Sequence, residues 1–339
     1  MLPKITVFMA AYNSENYISD SIKSILEQSF SDFELLIVND GSTDQTVAVI
    51  EKFNDPRIRL VHNDKNRGLT YTRNVALTEA RGEYIAILDS DDIAIKNRLE
   101  LQYNFFRQHP EYALCGGHGV FINQRAELTN NSDLIVPVGA EKIKMTLLFE
   151  NTFVNSSVMY KTSIYKELNG YQDYAPAEDY ELFIRIAEKY PVWNLDQILV
   201  KYRIHENNIS SLREEIAKLK LKAIKSEQLN YLGIPDHESF GNILFSILIC
   251  DYKRYQFSDY HQLFLQIKSA NRKLRKYPVR EFEEMLFEKW FTIIYQKKAK
   301  MNALALLFNR DLFNWSYLNM RQLRKTFKLS LKGFGRLSK

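Results

Sequence analysis

Residues 82–92 read GEYIAILDSDD. Tyr84–Leu88 is an unbroken apolar run, opened by Gly82 and closed by an acidic cluster, which is the pattern of a short strand buried on both faces. The same phrase, an apolar run, a polar stop and then a helix, recurs upstream. Ile5–Ala10 stops at Tyr12-Asn13 and is followed by Ile18, Ile22 and Ile25 at helical spacing. Phe33–Val38 stops at Asn39-Asp40-Gly41-Ser42, and Ser42 or Thr43 caps a helix that turns Val47 and Ile50 inward. Ile58–Val61 is a further short strand before a helix over Leu69–Ala80. Repeated βα units of this kind predict an α/β fold with a mostly parallel sheet covered by helices on both faces. Ligands of such sheets bind beyond the carboxyl ends of the strands. Tyr12, Asn13, Asp40, Asp89 and Asp91 all fall there.

Downstream the pattern is mixed. Ala113–Ile122 and Ser157–Tyr160 read as strands, Glu141–Phe149 and Glu178–Tyr190 as helices, and Val200–His205 as a last strand leaving the sheet. After Ser211 the chain becomes mostly helical and its charge reverses. Residues 1–211 carry 21 Lys+Arg against 29 Asp+Glu, whereas residues 212–339 carry 25 against 12. Two domains are therefore expected, 1–211 and 212–339: an acidic one suited to metal and phosphate, and a basic helical one suited to an anionic surface. Cys115 and Cys250 belong to no metal-ligand spacing and read as reduced thiols of a cytoplasmic protein. The seven residues Ile5–Ala11 are too short for a signal peptide, and the later apolar run Phe240–Cys250 is too short to span a bilayer. A soluble or peripheral protein is expected.

Asp89 and Asp91 stand at i and i+2 at a strand end and so point to one side. Two carboxylates there can hold one hard divalent ion, Mn or Mg, and leave positions for the oxygens of a diphosphate. The alternative is that Asp91 or Asp92 only caps the next helix. Tyr12 and Asp40 provide an aromatic face and an acceptor for a base such as uracil; the alternative is a core Tyr and a turn Asp before Gly41. Asn66-Arg67-Gly68 and Arg73-Asn74 place amide and guanidinium groups near a helix N-terminus, where a diphosphate is well held, or else form a solvated basic face. Glu178 and Asp179 open a helix beside the crevice. Either can take a proton from an attacking hydroxyl, and either can simply complement the helix dipole. His205 reads as a third metal ligand or as a structural histidine.

Six stretches carry a resemblance: ITVFMAAYNSENYISDSIKSILEQSF, ELLIVNDGSTDQT, NRGLTYTRNVAL, GEYIAILDSDD, AEDYELFIRIA and YRIHENNIS. In this order and spacing, residues 3–211 resemble the inverting family-two glycosyltransferases of the GT-A, Rossmann-like fold. The resemblance implies that Tyr12 and Asp40 contact the nucleobase and that Asn66 and Arg73 hold the donor. It implies that Asp89 contacts ribose or metal, that Asp91 ligates the metal, and that Asp179 is the base with Glu178 beside it on the acceptor. Arg203, His205 and Ser210 match a strand exit that closes over donor or acceptor. AAYN departs from the family's Pro-containing form before the Tyr, and the region after 211 matches no motif. The implied reaction moves a hexose or N-acetylhexosamine from a UDP-sugar to a hydroxyl of a glycan or lipid-linked glycan in surface-polysaccharide synthesis.

A sugar-1-phosphate nucleotidyltransferase would need a Gly-rich basic loop where this chain has AAYNSENY, and a dinucleotide site would need GxGxxG there. A non-catalytic nucleotide-sugar module remains the other alternative. No nucleic-acid motif appears in the basic half. Its end, from Arg321 to Lys339, carries seven cations (Arg321, Arg324, Lys325, Lys328, Lys332, Arg336 and Lys339) and no acid. Leu323, Phe327, Leu331 and Phe334 recur among them at helical spacing. Such a segment suits the anionic inner face of the plasma membrane, or it is a solvated tail or a helix packed on its own domain.

Overall fold

The computed structural model describes residues 2–206, 214–299 and 302–334. By its contacts the chain forms two compact units. One comprises Met1–Leu147 and Asn151–Lys220, and the other Leu148–Glu150 and Leu221–Lys339.

In the first unit the uninterrupted apolar runs become the centre of a mixed sheet. β1 (Ile5–Ala11) and β2 (Phe33–Asn39) are buried along nearly their whole length, so both of their faces are covered. The odd-numbered side chains Ile5, Val7 and Met9 pack with Ile18, Ile22 and Ile25 of α1 (Ile18–Leu26). Burying an apolar side chain of this size contributes about 1.5–3 kcal/mol, so this interface fixes which face of β1 meets α1. β1, β2, β3 (Ile58–His62) and β4 (Tyr84–Ile87) are parallel, in the order β3-β2-β1-β4. Beyond β4 the sheet continues through β8 (Met159–Lys161), β6 (Leu114–Ile122), β9 (Val192–Arg203) and β5 (Ile93–Ala94), with β7 (Leu128–Leu134) paired to β6. The ladders β4–β8, β6–β8, β6–β7 and β5–β9 are antiparallel, so the second half is mixed rather than parallel.

Some expected elements have different bounds. The helix over Leu69–Ala80 is divided into α3 (Leu69–Asn74) and α4 (Ala76–Glu79), where the Val75 N–H is shared between the carbonyls of Tyr71 and Thr72. Val200–Arg203 does not leave the sheet. It is the end of β9, paired in parallel with Gly119–Ile122 beyond a register shift at Gly117–Gly119. That irregularity, together with Asp196-Gln197 inside the strand, hides the strand's length from a period-two reading.

In the second unit the described elements are helical: the part of Glu214–Tyr231 from Leu221 onward, His237–Leu248, Phe257–Leu274, Val279–Gln296, Ala303–Leu307 and Met320–Phe334. Among the described residues no helix is long and apolar enough to cross a membrane.

Candidate active site

β4 is paired to β1 although β2 and β3 lie between them in sequence. The order of strands reverses at this pair, which opens a crevice at their carboxyl ends. The hydroxyls of Ser14 and Ser90, 2.8 Å apart, bridge the two loops that form its lips. Asn13, at φ 48°, accepts the N–H of Thr43 at 2.9 Å and donates its own backbone N–H to Ser42 Oγ at 3.1 Å, tying the end of β1 to the end of β2. Tyr12, beside it, is exposed, with its ring available to a flat partner.

Asp40 is buried and organises the neighbouring loop. Its Oδ1 accepts from Asn63 Nδ2 at 2.7 Å and from the Arg67 N–H at 2.8 Å, and its Oδ2 accepts the Gly68 N–H at 3.0 Å. Gly41, at φ +70°, permits that loop to approach, because a Cβ there would lie 2.6 Å from the Asn66 backbone nitrogen. Asn66 is exposed, and its Oδ1 also accepts the Gly68 N–H, at 3.1 Å. One acceptor site on Asp40 Oδ2 remains after these three bonds.

Asp89 follows β4 and is held from three sides. Arg73 Nη2 donates to Oδ1 at 3.2 Å, Asn155 Nδ2 to Oδ2 at 3.0 Å, and Ser156 Oγ to Oδ2 at 3.1 Å. Ser156 Oγ also receives the Asp89 N–H at 3.2 Å. Asn155 and Ser156 sit in a short turn of helix, Asn155–Ser157, just before β8. Sequence reasoning missed both. They are polar residues of a turn, and only the β4–β8 pairing brings them to Asp89.

Arg73 is the hub of the floor. Its guanidinium is buried, stacks over Tyr171 at 5.4 Å from the ring centre, and joins Asp89 to Glu178, with which it makes a close ion pair. Burial works against its charge, and the carboxylates of Glu178 and Asp89 more than offset that, so its pKa is raised. Glu178 Oε2 and Asn155 Oδ1 are buried without a protein partner among the described residues. Glu178 and Asp179 begin α8 (Glu178–Lys189). Asp179 accepts from Asn151 Nδ2 at 3.3 Å and from the Tyr180 N–H at 2.7 Å. Burial, and then the neighbouring Glu178 carboxylate, push its own carboxyl up to about 6.

Asp91 Oδ2 lies 2.9 Å from His205 Nε2, and the imidazole stacks on Tyr17 with ring centres 4.7 Å apart. Arg203 lies beneath this loop, not at its mouth. It is fully buried, and it donates through Nε to the Asp91 carbonyl at 2.7 Å, through its backbone N–H to Asp92 Oδ1 at 2.8 Å, and through Nη2 to Asp20 Oδ2 at 3.2 Å. A side chain so placed orients the Asp91 loop. Ser210 lies outside the described residues. Among the described residues no three His, Cys, Asp or Glu side chains converge as a ready ligand set.

The crevice therefore brings together Asp89, Arg73, Glu178 and Asp179, sets Asp91 with His205, and keeps Asp40 and Asn66 on the adjoining loop. A family model described as glycosyl transferase family 2 matches residues 6–168. An uncharacterized glycosyltransferase of Haemophilus influenzae is 30% identical over 239 residues, 68% of this chain and 74% of that protein. The UDP-Glc:alpha-D-GlcNAc-diphosphoundecaprenol beta-1,3-glucosyltransferase WfgD of Escherichia coli is 32% identical over 212 residues, 61% of this chain and 79% of that one. Among solved structures, S. aureus TarS 1–349 in complex with UDP-GlcNAc superposes with a TM-score of 0.56 at 19% identity, covering 97% of this chain and 91% of that one. That likeness is one of fold.

Proposed function

The chain belongs to glycosyl transferase family 2, and from that premise we propose that it moves a hexose or N-acetylhexosamine from a UDP-sugar to a hydroxyl of a glycan or lipid-linked glycan, with inversion, during surface-polysaccharide synthesis. The observation that carries this reading is the Arg73 bridge. It joins Asp89 to Glu178 at the start of α8, which supports a reading with donor and acceptor contacts side by side. Relatives such as WfgD, named for a UDP-glucose donor and a diphosphoundecaprenol-linked acceptor, support the choice of substrates.

In this reading Tyr12 stacks on the base, the remaining acceptor site of Asp40 takes its N–H, and Asn66 lies along the donor. Asp89 meets the ribose, oriented by Arg73, Asn155 and Ser156. Asp91, with His205 beside it, would hold a divalent ion. Their facing atoms, Oδ2 and Nε2, are 2.9 Å apart in a hydrogen bond whose proton such an ion would replace. Such an ion, Mn or Mg, supplies charge neutralisation for a departing diphosphate. Asp179 takes the proton of the acceptor hydroxyl as its oxygen attacks the anomeric carbon. The bond from that carbon to the diphosphate oxygen breaks, and its electron pair leaves with the nucleotide. One in-line displacement inverts the centre. Glu178, anchored by Arg73, orients the acceptor through its second oxygen.

The pH dependence tests this. A carboxyl raised to about 6 is protonated below that pH and cannot accept the proton, so kcat/KM for sugar transfer is expected to fall about tenfold per unit below pH 6 and to level off above it. A profile flat from about pH 5 to 7 would remove Asp179 from the base role.

A lipid-linked acceptor and the surplus of cations after residue 211 together favour work at the anionic inner face of the plasma membrane.

A further inference from the structure

The helix Met320–Phe334 packs on Ala303–Leu307 and Val279–Gln296 of its own unit. Its most deeply buried side chains are polar. The inward stripe is Gln322, Thr326 and Ser330, which are 5%, 1% and 4% exposed. Leu323 and Leu329 flank this stripe half-buried, whereas Met320 is 66% exposed and Phe327 and Leu331 are each 53% exposed. In water alone the outward stripe leaves apolar surface unburied.

This orientation is held by fixed contacts. Asn319 and Gln322 cap the helix start reciprocally, with the Asn319 N–H on Gln322 Oε1 at 3.0 Å and the Gln322 N–H on Asn319 Oδ1 at 2.9 Å. Lys325 Nζ sits 4.8 Å from the centre of the Tyr295 ring. The outward apolar stripe is thus held ready before any partner arrives.

We propose that this stripe, from Met320 through Phe327 to Leu331, is a preformed surface that docks shallowly into an anionic bilayer, with the exposed Trp315 of the preceding turn as an interfacial residue. The inference rests on the reading that the chain works on a lipid-linked acceptor. Charge complementarity selects the occupant. Arg321, Arg324 and Lys328 are exposed next to the stripe, and the helix contains no acid. A second copy of the helix laid against the first would oppose like charges, whereas anionic headgroups neutralise them and acyl chains take up Phe327 and Leu331. Trp315, 73% exposed in the turn that leads to the helix, has the apolar body and polar N–H of residues that settle at this depth.

The test uses the full chain with vesicles of phosphatidylglycerol mixed into phosphatidylcholine, and with vesicles of phosphatidylcholine alone. The parent is expected to co-sediment with the first and not the second, and lipids brominated near the headgroup should quench Trp315 fluorescence. The double variant Phe327→Ser/Leu331→Ser keeps every charge and replaces only exposed side chains. It should keep its unfolding midpoint and its nucleotide-sugar turnover in solution, and lose vesicle affinity by at least about tenfold. A parent chain that turns over its donor but sediments with neither vesicle overturns the membrane reading and leaves the transferase reading intact. A parent that binds anionic vesicles no better than the double variant does overturns the assignment to this stripe. A concentration-dependent dimer that the double variant abolishes, without vesicle binding by the parent, makes a second copy the occupant and overturns it as well.

Discussion

Asp179→Asn is expected to bind UDP as the parent does and to lose about 10²–10⁴ of its turnover, the range for removal of a general base. The amide keeps the shape of the carboxylate, and one of its hydrogen bonds survives, that from the Tyr180 N–H at 2.7 Å. What it cannot do is take a proton. Glu178→Gln is the informative control. Glu178 is buried against Arg73, so its neutral form leaves a buried guanidinium with only Asp89 opposite it. Loss of one partner of a buried pair costs about 3–5 kcal/mol, so this variant should show a lowered unfolding midpoint. Stopped-flow turnover beside calorimetric UDP titration separates the two roles. Near-parental turnover in Asp179→Asn, with loss in a well-folded Glu178→Gln, would exchange the two assignments.

The second large effect is expected at Asp91. Replacing it by Ala removes the carboxylate that faces His205 Nε2 at 2.9 Å, while the Asp91 backbone carbonyl still receives Arg203 Nε. The loop should therefore keep its path and lose only a ligand. Removal of an outer partner of a metal ligand already costs about 10–100-fold in affinity, so Mn-dependent UDP affinity is expected to fall by about 100-fold or more. Titration of the parent in EDTA should fall to the same weak value. Unchanged affinity in Asp91→Ala would mean that no metal is held there. His205→Ala should show a smaller loss, because in the proposed site the Asp91 carboxylate and the diphosphate oxygens would still hold the ion.

Much of this was legible in the sequence for a specific reason. β1, β2 and β4 are continuous apolar runs because both of their faces are covered, and each ends in polar residues because the crevice lies there. The positions of Asp89 and Asp91 relative to that crevice follow from this alone. The part that was hidden depends on chain segments that meet only in the folded unit. Asn155 and Ser156 reach Asp89 across the β4–β8 ladder, from a turn without a motif. Arg203 matched a strand exit in the family pattern, yet its burial turns it into the support of the Asp91 loop. Helical spacing in Met320–Phe334 indicates two faces but not which one turns inward. Only the burial of Gln322, Thr326 and Ser330, with Leu323 and Leu329 half-buried beside them, shows that Phe327 and Leu331 turn outward.

The central claim, metal-dependent transfer from a UDP-sugar, meets its most direct test in a panel of nucleotide sugars given to the full chain. Release of nucleoside diphosphate would be followed with Mn and with EDTA. The account predicts that at least one UDP-hexose or UDP-N-acetylhexosamine releases UDP with Mn, and that release falls to background with EDTA. No release from any UDP-sugar, or release that EDTA leaves untouched, would contradict it. So would pyrophosphate formed from UTP and a sugar 1-phosphate, which would make the chain a nucleotidyltransferase instead.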